Sequence, residues 1–169
     1  MLVRDKYINL VNKFITLLSH RIGDLGLAFL MAMVLLIVVD VVSRRIFNSP
    51  LSFSFELIEL LLVTTVFLAL VYTTSVQRHI SVDVLTSRFS AKARTITDRV
   101  TDFISLVVFA LIGWRSIVQA GRIWEMGKET GILGIPIYPF LYVVAFGSII
   151  ASLIILVSLI NSMIEAAKK

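Results

Sequence analysis

The chain has 169 residues, of which 58% are hydrophobic and 16% charged, with a formal net charge of +5 at pH 7. Soluble domains average about 25% charged residues, so this composition excludes a soluble globular protein and predicts an integral membrane protein. The absence of cysteine excludes disulfides and thiolate metal sites, and the basic residues collect at the ends of apolar segments rather than in an aromatic-rich patch, which argues against nucleic acid as a partner.

The first 21 residues are predicted to form an amphipathic helix. Apolar residues recur at helical spacing from Tyr7 to Leu18, and basic or polar side chains separate them. This pattern suits a helix that lies in the lipid headgroup region. It equally suits a helix that simply extends the first span below the membrane, and the sequence favours neither alternative.

Residues 22–42 and 53–76 are the first two predicted spans, each near the 20 residues or so that cross about 30 Å of hydrocarbon. Asp40 precedes Arg44 by four residues, so a continuing helix would pair them on one face. After a polar turn, Glu56 falls in the first turn of the second span, where the helix dipole favours a negative charge.

The end of the first span, the turn and the start of the second span form a charged hairpin. Charges near a bilayer are costly unless they are paired, hydrated or required for function, so this hairpin is the principal candidate site. We expect its charged residues to lock the hairpin or to contact a partner protein. They are Asp40, Arg44, Arg45, Glu56 and Glu59.

Residues 77–99 form a polar, basic loop that is predicted to contain a short interfacial helix after His79. His79 and Asp83 are its candidate functional residues, expected to anchor the inner interface with a partner. A third helix should begin at Ser90 and continue unbroken to about Gly127, with residues 100–126 as the third span. At 1.5 Å per residue it would be about 54 Å long, so it must tilt or protrude.

Arg115 lies deep in the apolar part of the third helix. An arginine inside a membrane is by default a functional candidate. The structural alternatives are that it extends to the nearer interface or neutralises Glu59.

Residues 135–160 form the fourth predicted span. Small residues recur along its middle at a spacing of four, a pattern that indicates close helix–helix contact. They are Gly147, Ser148, Ala151 and Ser152. The chain as a whole, residues 1–169, is therefore predicted to be a single all-α membrane domain with four transmembrane helices.

The distribution of Lys and Arg predicts the orientation. Eleven of the 16 basic residues lie in the N-terminal segment, the middle loop and the C-terminal tail. The positive-inside rule therefore places both termini and the middle loop in the cytoplasm.

Catalysis has no support in the sequence. His20 and His79 both lie outside the predicted spans, so paired haem ligation has no residues, and no H-E-x-x-H, Walker or G-x-S-x-G motif is present. The turn from Gly131 to Gly134 is too apolar to hold a phosphate.

Two non-enzymatic alternatives are a self-sufficient proton-coupled exporter that uses Glu56 or Glu59, and an unspecific membrane anchor.

Several short motifs, taken in chain order, resemble the small membrane (Q) subunit of tripartite ATP-independent periplasmic (TRAP) transporters. They are Arg44-Arg45-Ile-Phe-Asn48-Ser-Pro50, Ser54-Phe-Glu56, Arg78-His79-Ile80-Ser-Val82-Asp83-Val-Leu85 and Gly134-Ile-Pro136. The tryptophan often found just before the glutamate is replaced by Phe53. The four predicted spans extend the resemblance over the whole chain.

The resemblance implies a multi-pass protein of the bacterial inner membrane that forms a heterodimer with a large multi-span subunit. The substrate and sodium sites would lie in that large subunit, and this chain would need no cofactor. A periplasmic substrate-binding protein would deliver an organic acid, such as sialic acid or a C4-dicarboxylate, for symport. The small subunit would act as a scaffold that also helps to dock the binding protein, with membrane lipids as its other partner.

Overall fold

The computed structural model describes the backbone of residues 2–76 and 91–167, together with the side chains of residues 17–76 and of most residues from 96 to 162. Four helices make up this part of the chain: α1 (Leu2–Ile46), α2 (Ser54–Val76), α3 (Ala91–Met126) and α4 (Tyr138–Ala167). Each contains a segment long and apolar enough to span a membrane: Leu17–Ile46, Ser54–Val76, Arg99–Met126 and Tyr138–Ile160. The predicted all-α architecture with four spanning helices is confirmed.

Helix α1 is one uninterrupted element of 45 residues, or about 67 Å at 1.5 Å per residue. The N-terminal segment is therefore continuous with the first span rather than a separate helix. A headgroup position for its first turns stays a prediction. At its other end α1 continues to Ile46, past the predicted limit of the span at residue 42, and this continuation places Asp40 and Arg44 on one face, where they pair.

Helix α4 begins at Tyr138, three residues later than predicted. The reason lies in the preceding turn, where Glu129 and Pro136 form an isolated antiparallel bridge and the Ile137 amide donates to the Lys128 carbonyl at 3.3 Å. Residues 135–137 are thus held in the turn before the helix starts. Helix α3 ends at Met126, in agreement with the prediction of an unbroken helix to about Gly127.

The helices are arranged as a row in the spatial order α1, α2, α4, α3. Among the described residues, the extensive contacts join α1 to α2, α2 to α4 and α4 to α3. The spans in α2 and α4 are accordingly more buried than those in the edge helices α1 and α3. The domain is therefore an open layer rather than a closed four-helix bundle.

A glycine lies at a close contact in each of the three helix pairs. A Cβ atom on Gly23 of α1 would come within 2.9 Å of the Tyr72 ring in α2, and one on Gly113 of α3 would come within 2.9 Å of the Ile149 side chain in α4. A Cβ atom on Gly147 of α4 would lie 2.7 Å from the Phe67 carbonyl oxygen in α2. Because lipid gives helices no hydrophobic reason to associate, close packing of this kind contributes to holding them together.

The apolar core is small and lies where α1, α2 and α4 meet. It consists of Ile22, Leu68, Val71 and Ile154, with Val143 and Ile150 packed against it. Most other large apolar side chains of the spans are exposed, as expected for faces that meet lipid or another membrane protein.

Candidate functional site at the turn end

The two short turns of the molecule lie at the same end of the helix row, which we call the turn end. Residues 47–53 join α1 to α2, and residues 127–137 join α3 to α4. Each turn contains a residue with positive φ close to the end of the preceding helix: Asn48, at 50°, and Gly127, at 59°. Gly127 closes a Schellman motif: its amide donates to the Trp124 carbonyl, and the Lys128 amide donates to the Ile123 carbonyl.

Asp40 organises the first turn. Its Oδ1 accepts a hydrogen bond from the Leu51 amide at 3.0 Å, and its Oδ2 accepts one from the Arg44 guanidinium at 2.9 Å. Asp40 is buried, whereas the Arg44 side chain is 64% exposed. The ion pair that the spacing predicts is thus present, but the bond to Leu51 is what fixes the returning chain against α1.

Two serine hydroxyls complete this turn. Ser43 donates to the Ser49 carbonyl at 2.8 Å, and the buried Ser54 donates to the Leu51 carbonyl at 2.8 Å. Together with Asp40 they bind backbone groups of the turn where the chain leaves one helix and enters the next.

Glu56 connects the two turns. It projects from the first turn of α2, and its two carboxylate oxygens accept hydrogen bonds from the consecutive amides of Ile132, at 2.8 Å, and Leu133, at 3.0 Å. The residues are separated by 76 positions or more in the chain. The carboxylate therefore ties the α1–α2 hairpin to the α3–α4 hairpin.

The 127–137 turn is shaped to present those two amides. The Thr130 amide donates to the Ile135 carbonyl at 2.9 Å, while the Thr130 hydroxyl accepts from the Ile135 amide at 3.0 Å. Gly134, with φ of 65°, makes the reversal that a residue with a side chain would adopt only under strain. A Cβ on Gly131 would lie 3.4 Å from the Glu56 Oε1, so the turn passes close to the carboxylate.

Arg45 and Glu59 take no part in this network. Both are exposed, and neither makes a hydrogen bond or ion pair within the residues that the structure describes. Their predicted contact with a partner protein stays a prediction. His79 and Asp83, the candidate residues of the middle loop, lie outside the described residues.

Arg115 is exposed on α3 and has no ion-pair partner in the described part of the chain. Neutralisation by Glu59 is not what the structure shows, since Glu59 belongs to α2 and α3 packs on α4. An arginine near the centre of a membrane helix costs roughly 2.5–3.5 kcal/mol on insertion scales, so its position calls for an explanation.

The four small residues of α4 lie against neighbouring helices. Gly147 and Ser148 are buried, as are Ala151 and Ser152. Gly147 faces Phe67 of α2, which places Gly147 at the α2–α4 contact in the middle of the row.

The chain matches the sequence model of a known family over residues 33–165: tripartite ATP-independent periplasmic transporters, DctQ component. The match includes both turns and every charged residue discussed above. It also includes all four spans, apart from the start of the first. The chain belongs to this family. No curated protein and no solved structure matches it.

This DctQ component is therefore a component of a membrane transporter and a multi-pass protein of the inner membrane. The family resemblance that the motifs indicate is confirmed. The contacts made by Glu56 add what the sequence could not supply, because the sequence places a carboxylate at the start of the second span without naming its partners.

Sequence reasoning missed the amides of Ile132 and Leu133 as functional groups. The apolar character of the turn argues against a phosphate site, yet two of its backbone N–H groups hold an anion, the carboxylate of Glu56 from the same chain. The only signal of this pair in the sequence is the two glycines that flank it, Gly131 and Gly134.

Replacing Asp40 with alanine should loosen the first turn of this DctQ component. The Leu51 amide and the Arg44 guanidinium would both lose their acceptor, so we expect a fall in melting temperature of about 4 °C in detergent. Arg44→Ala is the matched control: it removes only a largely exposed ion pair and should change the melting temperature by about 1 °C or less. Equal effects of the two substitutions would show that the bond to Leu51 adds nothing.

Proposed function

We propose that this DctQ component is the scaffold of its transporter, bracing a large multi-span subunit while that subunit moves substrate across the membrane. The transported substrate would be an organic acid of the sialic acid or C4-dicarboxylate class, driven by sodium ions bound in the large subunit. The turn end would help to dock the periplasmic binding protein. The proposal combines the family membership with the geometry of the helix row.

The observation that carries the proposal is the bond of Glu56 across the two hairpins. An open row of four helices has little internal core, so its shape depends on contacts at its ends and on glycine-mediated packing. A carboxylate that accepts two backbone amides fixes one hairpin relative to the other. A rigid layer of helices would give the moving subunit a neighbour that keeps its position.

The same geometry argues against Glu56 as the proton carrier of an exporter. Both oxygens of Glu56 already accept backbone hydrogen bonds, which favour the ionised carboxylate and would be weakened if it took up a proton. Glu56 also lies in the first turn of α2 rather than near the middle of a span. It is therefore better suited to holding structure than to carrying protons.

Placing the turn end in the periplasm follows from the positive-inside rule, because most Lys and Arg lie toward the opposite end. In that orientation the hydrogen-bonded turns, with Arg45 exposed beside them, face the side from which a periplasmic binding protein approaches.

Co-expression with the large subunit of the same transporter tests the proposal. The two chains should co-purify from detergent, and cells that lack this chain should lose uptake of the organic acid until the chain is restored. Uptake that continues at the normal rate without this chain would rule out an essential scaffold. An unspecific anchor, by contrast, would tolerate any substitution at the turn end.

A further inference from the structure

Helix α3 carries a polar stripe on a face that no other part of the described chain covers. Its packed face consists of Gly113, Ser116, Ala120 and Ile123, all buried. Arg115, Gln119 and Arg122 follow one another at spacings of four and three residues, so they share one side of the helix. All three are exposed, and α3 is an edge helix of the row.

The backbone of Arg115 lies close to the middle of the spanning segments. The nearby Gly113 faces Ile149, which is the central residue of the span Tyr138–Ile160 in α4. Arg115 lies two residues further along α3, about 3 Å toward the turn end. The headgroup level is about 15 Å from mid-depth, farther than an arginine side chain extends.

The charge of Arg115 has no counterpart within reach in the described chain. Glu59 belongs to α2, and no extensive contact joins α2 to α3 among the described helices. Glu125 lies ten residues further along α3, about 15 Å away. The surroundings on the exposed side are apolar, with Trp114 and Ile117 at 63% and 44% exposure.

We propose that the stripe of Arg115, Gln119 and Arg122 is the surface on which a membrane-spanning segment of the large subunit docks, and that this segment carries a carboxylate that pairs with Arg115. The inference rests on the proposed function, which supplies the partner. Charged residues at this depth face protein or water and pair with opposite charges or carbonyls. A carboxylate on a facing helix can reach mid-depth, whereas a lipid phosphate lies at the headgroup level near Arg122.

Crosslinking in membranes tests the position of the contact. The chain has no cysteine, so Gln119→Cys gives one reactive site that can carry a photoreactive maleimide. Irradiation of membranes that also contain the large subunit should give a crosslinked product of the two chains. A product of two copies of this chain, or adducts with lipid alone, would overturn the proposal.

Substitution of Arg115 tests the charge. Arg115→Leu should reduce the amount of co-purified large subunit by about tenfold, the effect of losing one charge-assisted hydrogen bond. Arg115→Lys should retain most of the binding. The melting temperature of Arg115→Leu alone should not fall, because Arg115 pairs with nothing in the described chain, and this separates lost docking from misfolding.

Two negative results have different meanings. If the unsubstituted chain co-purifies with the large subunit and Arg115→Leu does so equally well, the docking surface is wrong while the scaffold function stands. If the unsubstituted chain does not co-purify at all, the proposed function fails and the docking surface fails with it.

Discussion

Replacing Glu56 with alanine should lower the melting temperature of the purified chain by about 5 °C and reduce assembly with the large subunit several-fold. The substitution leaves the Ile132 and Leu133 amides without the acceptor that now binds both. It also removes the hydrogen-bonded link between the two turns. We therefore expect the α3–α4 hairpin to shift relative to the α1–α2 hairpin, while each hairpin keeps its own helical structure.

Glu59→Ala is the matched control for this prediction. Glu59 lies one turn further along α2, is exposed, and has no partner in the residues that the structure describes. Its removal should leave the melting temperature within about 1 °C of the original. The melting temperature of Glu56→Gln should lie between those of Glu56→Ala and Glu59→Ala, since the oxygen of the glutamine side chain can still accept a hydrogen bond. A Glu56→Ala chain as stable as Glu59→Ala would show that the carboxylate does not connect the hairpins.

Replacing Gly147 with alanine should separate the two inner helices. The added Cβ would lie 2.7 Å from the Phe67 carbonyl oxygen, a backbone atom that cannot turn aside as a side chain can. The α2–α4 contact must widen, and overpacking of this kind costs about 1–3 kcal/mol. Thermal unfolding in detergent measures the loss, and transport should fall with it because α2 and α4 hold the middle of the row.

Gly121→Ala provides the comparison on another helix. Nothing lies within 4 Å of a Cβ built at Gly121, so this substitution brings only the helix preference of alanine. We expect no loss, and a gain of up to about 1 kcal/mol. A loss at Gly121 equal to that at Gly147 would mean that the close α2–α4 contact is not what the glycine at 147 allows.

Local patterns in the sequence were sufficient for much of the fold. The lengths of the apolar segments predict the four spans, and the spacing of Asp40 and Arg44 predicts their ion pair, because both depend on residues that are neighbours along one helix. The small residues from Gly147 to Ser152 likewise mark a face that the structure buries.

The order of the helices in space could not be read in this way. Periodicity shows that a helix has a packed face but does not say which helix covers it. The sequence therefore allows Arg115 to pair with Glu59, whereas in the structure α4 lies beside α3. The partners of Glu56 are backbone amides 76 and 77 residues away, and backbone groups leave no signature in side-chain chemistry.

Reconstitution in liposomes tests most directly whether this DctQ component is a scaffold. The purified chain alone should give no flux of organic acid under a sodium or proton gradient. Flux should appear when the large subunit and the binding protein are added together with sodium. Substrate movement by this chain alone, abolished by Glu56→Gln or Glu59→Gln, would contradict the scaffold function and identify the protein as an exporter.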